Sequence, residues 1–413
     1  MREVRRLLAA YACSSVAIGL PWPLLLVLVW DRYGGGPYGA WAVGLAGAAR
    51  MAPYVLFSWA AGSVGDHVRR DRLVRTTLAL RLAFLVAAAI AVAGQHTGIA
   101  VLAAALAMLS STPTYPAIGA ALPALAGSDR VRATELLVTV EVGAWVVGPA
   151  LGGLLLTPSL RPCTLVVSVA LAALGLGLAT GVSLPSPVEQ ASDAVGGMVR
   201  EVLACRPAVA ALGVAALLNV CVTASGMLLL PLAEQSWGHG DEGFGLATAC
   251  LGFGALGAPA LARLALTFGG MTTTRGLVTI GVAVAAVAAT PVPWPALPLL
   301  ALAGATGVVI ESRVTGALQE AVPDHYRAGA LGLADSVMVG ACLVGSLVAP
   351  ALASQAGSRP ALLLVAVAAT LPPLTTRLLP NLRPRTPYDA AGDRTAAGPD
   401  PRGAPAVGAA RVG

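Results

Sequence analysis

Gly148-Pro149-Ala150-Leu151-Gly152-Gly153 lies inside an apolar run from about Leu136 to Leu156. A hydrocarbon core takes about 20 residues of helix, so the run is long enough to cross a bilayer. One proline and three glycines within six residues point to a tight contact there. Pro149 removes a backbone donor and bends the helix. Gly148, Gly152 and Gly153 let a second helix approach at backbone distance. The stretch reads as a kinked contact between helices inside a membrane, not as a ligand site.

Composition agrees. The chain of 413 residues is 57% hydrophobic and 11% charged, against about 25% charged in a typical soluble domain. Its mean hydropathy is +0.79. A soluble globule of this length has too little interior to hide that much apolar surface. The net charge of +6 comes from arginines in short loops, with no basic and aromatic face on which bases would stack. Nucleic acid is therefore not an expected partner. The six cysteines form no CxxC pair and the four histidines fall in loops. No metal site or cofactor is expected.

The same rule of length places apolar spans near 7–30, 38–63, 74–94, 98–122, 134–156 and 163–183, then near 208–232, 243–267, 275–292, 296–318, 328–354 and 360–378. The expected fold is an all-α membrane protein of twelve transmembrane helices in two pseudo-symmetric six-helix halves, residues 1–183 and 208–380. A linker, 184–207, joins them; Met198–Cys205 suits a short surface helix with Arg200 and Glu201 on its wet side. The Pro-, Gly- and Ala-rich tail, 381–413, cannot bury a core and is expected to be disordered. One set of loops carries Arg2, Arg5, Arg6, Arg69, Arg70, Arg72, Arg75, Arg130, Arg132, Arg200, Arg206, Arg275, Arg327 and Arg377; the other carries Arg32, Arg161 and Arg359. By the positive-inside rule both termini are cytoplasmic.

The halves echo one another. Arg132-Ala133-Thr134-Glu135-Leu136 opens the fifth span and Arg327-Ala328-Gly329-Ala330-Leu331 the eleventh; Gly148-Pro149-Ala150-Leu151 returns as Ala349-Pro350-Ala351-Leu352. Duplicated halves with a substrate path between them are common in transporters. In these features the chain resembles the major facilitator superfamily over nearly all of residues 1–380. Three segments carry the resemblance. The loop Gly62-Ser63-Val64-Gly65-Asp66-His67-Val68-Arg69-Arg70 matches the family pattern at Gly62, Asp66 and Arg70 and departs from it at His67, Arg69 and Asp71. The opening hexapeptide resembles a fifth-helix motif of exporters. Tyr115-Pro116-Ala117 with Ala121-Leu122-Pro123 and Arg132-Ala133 is similar to the branch of enterobactin exporters and macrolide-efflux-type proteins. The fourth span lacks the arginine that many proton-coupled antiporters carry, and Thr272-Thr273-Thr274-Arg275 stands where a second Gly-Asp-Arg loop would be.

The resemblance implies an exporter of a small organic molecule, a drug, antibiotic or siderophore-like compound, acting as a monomer in the cell membrane by alternating access. It also implies that Asp66 braces the cytoplasmic ends of the two halves. Asp66 and Arg70 are four apart and pair if one helix runs through both; a solvated charge run is the other reading. Ionisable residues inside spans are costly and point to function or pairing. Arg50 suits an anionic substrate group or a carboxylate such as Glu141. Arg81 suits the site or the interface it can reach. Glu141, Glu311 and Asp335 are candidates for proton coupling or for local salt bridges. Arg313, two residues from Glu311, needs a separate partner. Asn219 is a candidate hydrogen-bonder in the cavity. Trp22, between Pro21 and Pro23, lines a cavity or sits in the interfacial belt, whereas Trp30, Trp41 and Trp237 suit the belt. The absence of a GxxxxGK[ST] segment argues against an ATP-driven pump, and no nucleophile–base set suggests an enzyme. Import on the same fold, or a sensor that transports nothing, are the alternatives.

Overall fold

The computed structural model describes residues 2–67, 69–126, 129–184, 195–267, 269–322 and 327–375. Among the described residues the chain is helical, without strands. In chain order the helices are α1 (Arg2–Gly19), α2 (Trp22–Arg32), α3 (Gly36–His67), α4 (Arg70–Ala93), α5 (Thr97–Leu109), α6 (Thr114–Ala126), α7 (Arg130–Leu154) and α8 (Cys163–Ala179). They continue with α9 (Val195–Ala204), α10 (Arg206–Leu232), a π-helical turn (Ala233–Trp237), α11 (Gly240–Leu256), α12 (Ala258–Leu266), α13 (Thr273–Ala289), α14 (Pro293–Ala321), α15 (Arg327–Ala356) and α16 (Ser358–Thr375).

Among the described residues, six helical segments are long and apolar enough to cross a membrane: Glu3–Arg32, Arg70–Ala93, Thr97–Gly119, Arg206–Trp237, Pro293–Ala321 and Ala330–Ala356. The pair α11 and α12, bent by 56°, makes a seventh if it counts as one span. Shorter apolar helices cover Thr139–Leu154, Cys163–Ala179, Thr273–Ala289 and Ser358–Leu371. Large apolar side chains such as Ile90, Val166 and Leu364 lie exposed on the circumference. In water that surface would be a liability; in lipid it is not.

Three expected spans are interrupted, each at a proline. The first breaks at Leu20–Pro21 between α1 and α2. The fourth breaks between α5 and α6, before Pro113. There Ser110, Ser111 and Thr112 turn their hydroxyls back onto the carbonyls of Ala107, Met108 and Leu109 at 2.7, 2.6 and 2.9 Å, a local competition that ends a helix. The eighth bends at Gly257, with Pro259 in the first turn of α12. By contrast α7 runs through Pro149 and α15 through Pro350 without interruption.

Three further expectations are corrected. Asp66 and Arg70 do not share a helix: α3 ends at His67 and α4 begins at Arg70. The spacing of four that would pair them on one helix face therefore does not apply; the side chains of Gly62 and Asp66 lie outside the described residues. Asp71 instead collects Arg75 at 2.6 Å and Arg69 at 3.3 Å. Trp30 and Trp237 are buried in protein rather than placed in an interfacial belt. Trp237 Nε1 donates to the carbonyl of Thr290 at 3.2 Å, which satisfies its polar edge inside the protein. Trp41 is exposed.

The helix expected in the linker forms as α9, with Arg200 exposed. Its Val202 is buried with Ala208, Leu212, Leu318 and Ala330, so α9 is docked on the ends of α10, α14 and α15. Residues 185–194 of the linker and the tail 381–413 lie outside the described residues. The most extensive packing joins α10 to α15, α3 to α15, α11 to α14, α1 to α8, α13 to α16 and α7 to α11. The pairs α3–α15 and α7–α11 hold the two ends of the sequence together, and α3 and α7 also line the cavity described next.

Candidate functional site

The Gly148–Gly153 stretch is wedged between two helices. A methyl group on Gly152 would stand 2.1 Å from the carbonyl oxygen of Leu20, and one on Gly148 would stand 3.0 Å from the Gly19 Cα, so both glycines face α1. Gly153 faces the other way: a methyl there would stand 2.4 Å from the carbonyl oxygen of Gly245 on α11. The α3–α15 contact has the same character, since a methyl on Gly44 would stand 2.5 Å from the carbonyl oxygen of Ser346 and 2.4 Å from Pro350 Cγ. Both contacts lie at the end of the helices away from the arginine-rich loops. The stretch is a backbone-to-backbone joint, and Pro350, its echo in α15, belongs to the second joint.

An ionic cluster lies at the same end. Arg161, after α7, forms salt bridges to Asp31 at the end of α2, at 3.4 Å, and to Asp241 at the start of α11. Glu234, in the π-helical turn, faces Asp241. One arginine therefore ties α2 to α11 across the joint.

Behind the joint, α1, α3, α5, α6 and α7 line a cavity of about 450 Å³, counting the solvent at its mouth. Arg50 and Tyr54 are four apart on α3, and Glu141 and Trp145 four apart on α7, so each pair shares a helix face. The Arg50 guanidinium lies 5.4 Å from the Trp22 ring and 5.3 Å from the Trp145 ring. Trp22 reaches this position because it opens α2 just after the break at Pro21. It is buried, not in an interfacial belt.

The carboxylates have taken other partners. Trp145 Nε1 donates to Glu141 Oε1 at 3.0 Å, and the Tyr11 hydroxyl donates to Glu141 Oε2. The Tyr54 hydroxyl donates to Asp335 on α15, a hydrogen bond that spans the α3–α15 contact. The expected alternative of an Arg50–Glu141 pair is not formed: among the described residues no salt bridge reaches Arg50. Glu311 on α14 lies close enough to Asp335 for the two to repel, as do Glu141 and Asp335. Three carboxylates from α7, α14 and α15 thus share one field.

Arg81 does not reach an interface. It is fully buried and its guanidinium donates to Ser14 Oγ at 2.8 Å, to Thr114 Oγ1 at 2.9 Å and to the Ser111 carbonyl at 3.2 Å. The Ser111 carbonyl sits in the break between α5 and α6. Arg81 thereby ties α4 to α1 and to the broken fourth span. Asn219 is held within its own bundle: Nδ2 donates to the Ala215 carbonyl at 3.0 Å and Oδ1 accepts from Cys342 Sγ at 3.5 Å. Arg313 is half-buried with its Nε enclosed and without an acceptor.

The structure therefore brings Trp22, Arg50 and Glu141 together with Asp335 beside them, and keeps Arg81 and Asn219 in local networks. Sequence reasoning missed Tyr11, Tyr54 and Trp145, which hold the charged groups, and the Arg161 cluster. The spacing of four in Arg50–Tyr54 and Glu141–Trp145 was a usable signal.

A family model described as transmembrane secretion effector, within the major facilitator superfamily, matches residues 39–391. No curated protein matches the sequence. Among solved structures, a D-xylose–proton symporter is similar with a TM-score of 0.70 at 13% identity, covering 92% of this chain and 97% of its own. A bacterial homolog of the human lysosomal transporter Spinster, inward-facing and unoccupied, reaches 0.67 at 12% identity, covering 94% and 98%. The human organic anion transporter MFSD10 (TETRAN) reaches 0.62 at 16% identity, covering 92% and 99%. At these identities the likeness is one of fold.

Proposed function

The chain belongs to the transmembrane secretion effector family of the major facilitator superfamily, a multi-pass membrane transport protein and not an enzyme, and on that premise we propose that it exports a small organic compound by alternating access. In this reading α1–α8 form six spans and α10–α16 six more, two halves that rock about the α3–α15 and α7–α11 contacts. Both termini are cytoplasmic and the protein works as a monomer in the cell membrane. The cavity behind Arg50 is the substrate path. The Gly153–Gly245 and Gly44–Pro350 joints, with the Arg161 cluster over them, are the outer seal.

One observation carries the proposal. At a single end of the helices α3 and α7 of one half meet α15 and α11 of the other backbone to backbone, while behind that contact α1, α3, α5, α6 and α7 line a polar cavity. A joint that tight has two discrete states, packed or parted, and not a continuum. The likeness of the Tyr115–Pro123 segment to enterobactin exporters and macrolide-efflux-type proteins supports outward transport of a siderophore-like compound or an antibiotic. Proton coupling would use Glu141, Asp335 and Glu311, the carboxylates that share the cavity's field. A susceptibility and efflux screen in a hypersensitive host tests the reading. Expression should lower the cellular content of at least one compound, and a protonophore should abolish the effect. Cells that accumulate every compound alike would remove the export reading.

A further inference from the structure

The Arg50 guanidinium has an unusual set of neighbours. Two indole faces flank it, at 5.4 and 5.3 Å, and its Nε is buried without a hydrogen-bond acceptor. No salt bridge reaches it among the described residues. A guanidinium enclosed in this way lacks the pairing that normally offsets its loss of water. Cation–π contacts to Trp22 and Trp145 offset part of that cost, but an indole face offers no acceptor for the guanidinium N–H groups.

The nearby acids are not waiting for it. Glu141 is held by Tyr11 and Trp145, and Asp335 by Tyr54. These donors keep both carboxylates off Arg50, and Trp145 does two tasks at once: its N–H holds the acid while its ring covers the cation. The result is a cation without an acceptor for its N–H groups among the described residues, lining a cavity in which Trp145 supplies a flat wall beside it.

We propose that Arg50 is the anion-binding subsite of the transport cavity and that its ligand is an organic monocarboxylate with a planar, apolar body. The inference rests on the transport reading of the cavity given above. A carboxylate matches the guanidinium edge in shape and charge and accepts two parallel N–H bonds. The planar body lies along Trp145, the indole that lines the cavity. A single negative charge matches Arg50, the one cation among the described residues lining the cavity, which disfavours phosphate esters.

The test uses the full chain in lipid nanodiscs and two probes of nearly one shape, 2-naphthoate and the neutral 2-naphthamide, titrated calorimetrically. The naphthoate should bind about tenfold tighter than the amide, the scale of one charge-assisted contact. Arg50→Gln should abolish the preference, Arg50→Lys should keep part of it, and Arg200→Gln, on the exposed face of α9, should leave it intact. Thermal unfolding of each variant reports whether it is folded. If Arg50→Gln does not fold, the wild-type and Arg50→Lys comparison still decides. Equal affinity for both probes, binding of neither, or a preference that survives Arg50→Gln overturns the proposal. Directional transport in vesicles is measured separately, so a protein that pumps but shows no preference for the acid discards this inference alone.

Discussion

Replacing Gly153 by alanine puts one methyl group into the joint between α7 and α11. That methyl would stand 2.4 Å from the carbonyl oxygen of Gly245 and 3.3 Å from the Ala249 nitrogen. Both are backbone atoms, so no side chain can swing aside. The helices must part by roughly 1 Å to restore ordinary contact. Overpacking of this kind costs about 1–3 kcal/mol, and the cost falls only on the state in which the joint is closed. The population should therefore shift toward the state open at that end by about 5- to 150-fold. Gly143→Ala, on the same helix with nothing within 4 Å of the added methyl, is the control and should shift nothing. Spin labels on the exposed Leu160 and Glu242, in a chain whose native cysteines have been replaced, report the separation across the joint. Gly153→Ala should populate a longer distance that Gly143→Ala does not. Identical distance distributions for the two variants would refute the claim that this glycine sets the closed state.

Arg161→Gln should loosen the same end more gently. Asp31 is half-exposed and Arg161 partly so, which limits each pair to about 1 kcal/mol or less; a double-mutant cycle with Asp241→Asn, read by the same labels, should show that coupling fading at high salt. Arg81→Gln removes a cation that makes three hydrogen bonds to α1, α6 and the α5–α6 break. It should lower the thermal unfolding midpoint in detergent, with a cost of about 2 kcal/mol or more, while leaving the acid-over-amide preference of the cavity unchanged. Glu141→Gln, Asp335→Asn and Glu311→Gln, made singly, should divide transport driven by a pH gradient from simple exchange. At least one should abolish the first and keep the second. If all three retain the gradient dependence, proton coupling through these carboxylates is wrong.

Much of the fold is legible in the sequence because a bilayer imposes length and apolarity on every span. The start of α8 at Cys163 and the long helices α14 and α15 fall within a few residues of the expected bounds. The break in the first span is marked by Pro21 and Pro23, but those in the fourth and eighth spans were harder to read. Prolines are present at Pro149 and Pro350 too, yet α7 and α15 continue through them. What differs at the fourth span is the cooperation of Ser110, Ser111 and Thr112 with Pro113. At the site, single charged residues inside spans stood out by cost, and Arg50 and Glu141 indeed line the cavity. Trp145, four residues from Glu141 on α7, had a local signal, but Tyr11 and Trp22 reach Glu141 and Arg50 from other helices, whose relative rotation no local pattern records. Arg81 shows the same limit: its depth could be counted, but its closure by Ser14 and Thr114 depends on tertiary packing. Asp66 and Arg70 are not on one helix face because α3 ends at His67 and α4 begins at Arg70.

The central claim is outward transport through the cavity that Arg50 lines. Inverted membrane vesicles test it most directly, since their lumen corresponds to the outside of the cell. With a compound taken from the efflux screen, energised inverted vesicles containing the wild-type chain should accumulate it against its gradient, and vesicles containing Arg50→Gln should not. Accumulation by right-side-out vesicles instead, with none in the inverted ones, would contradict the account.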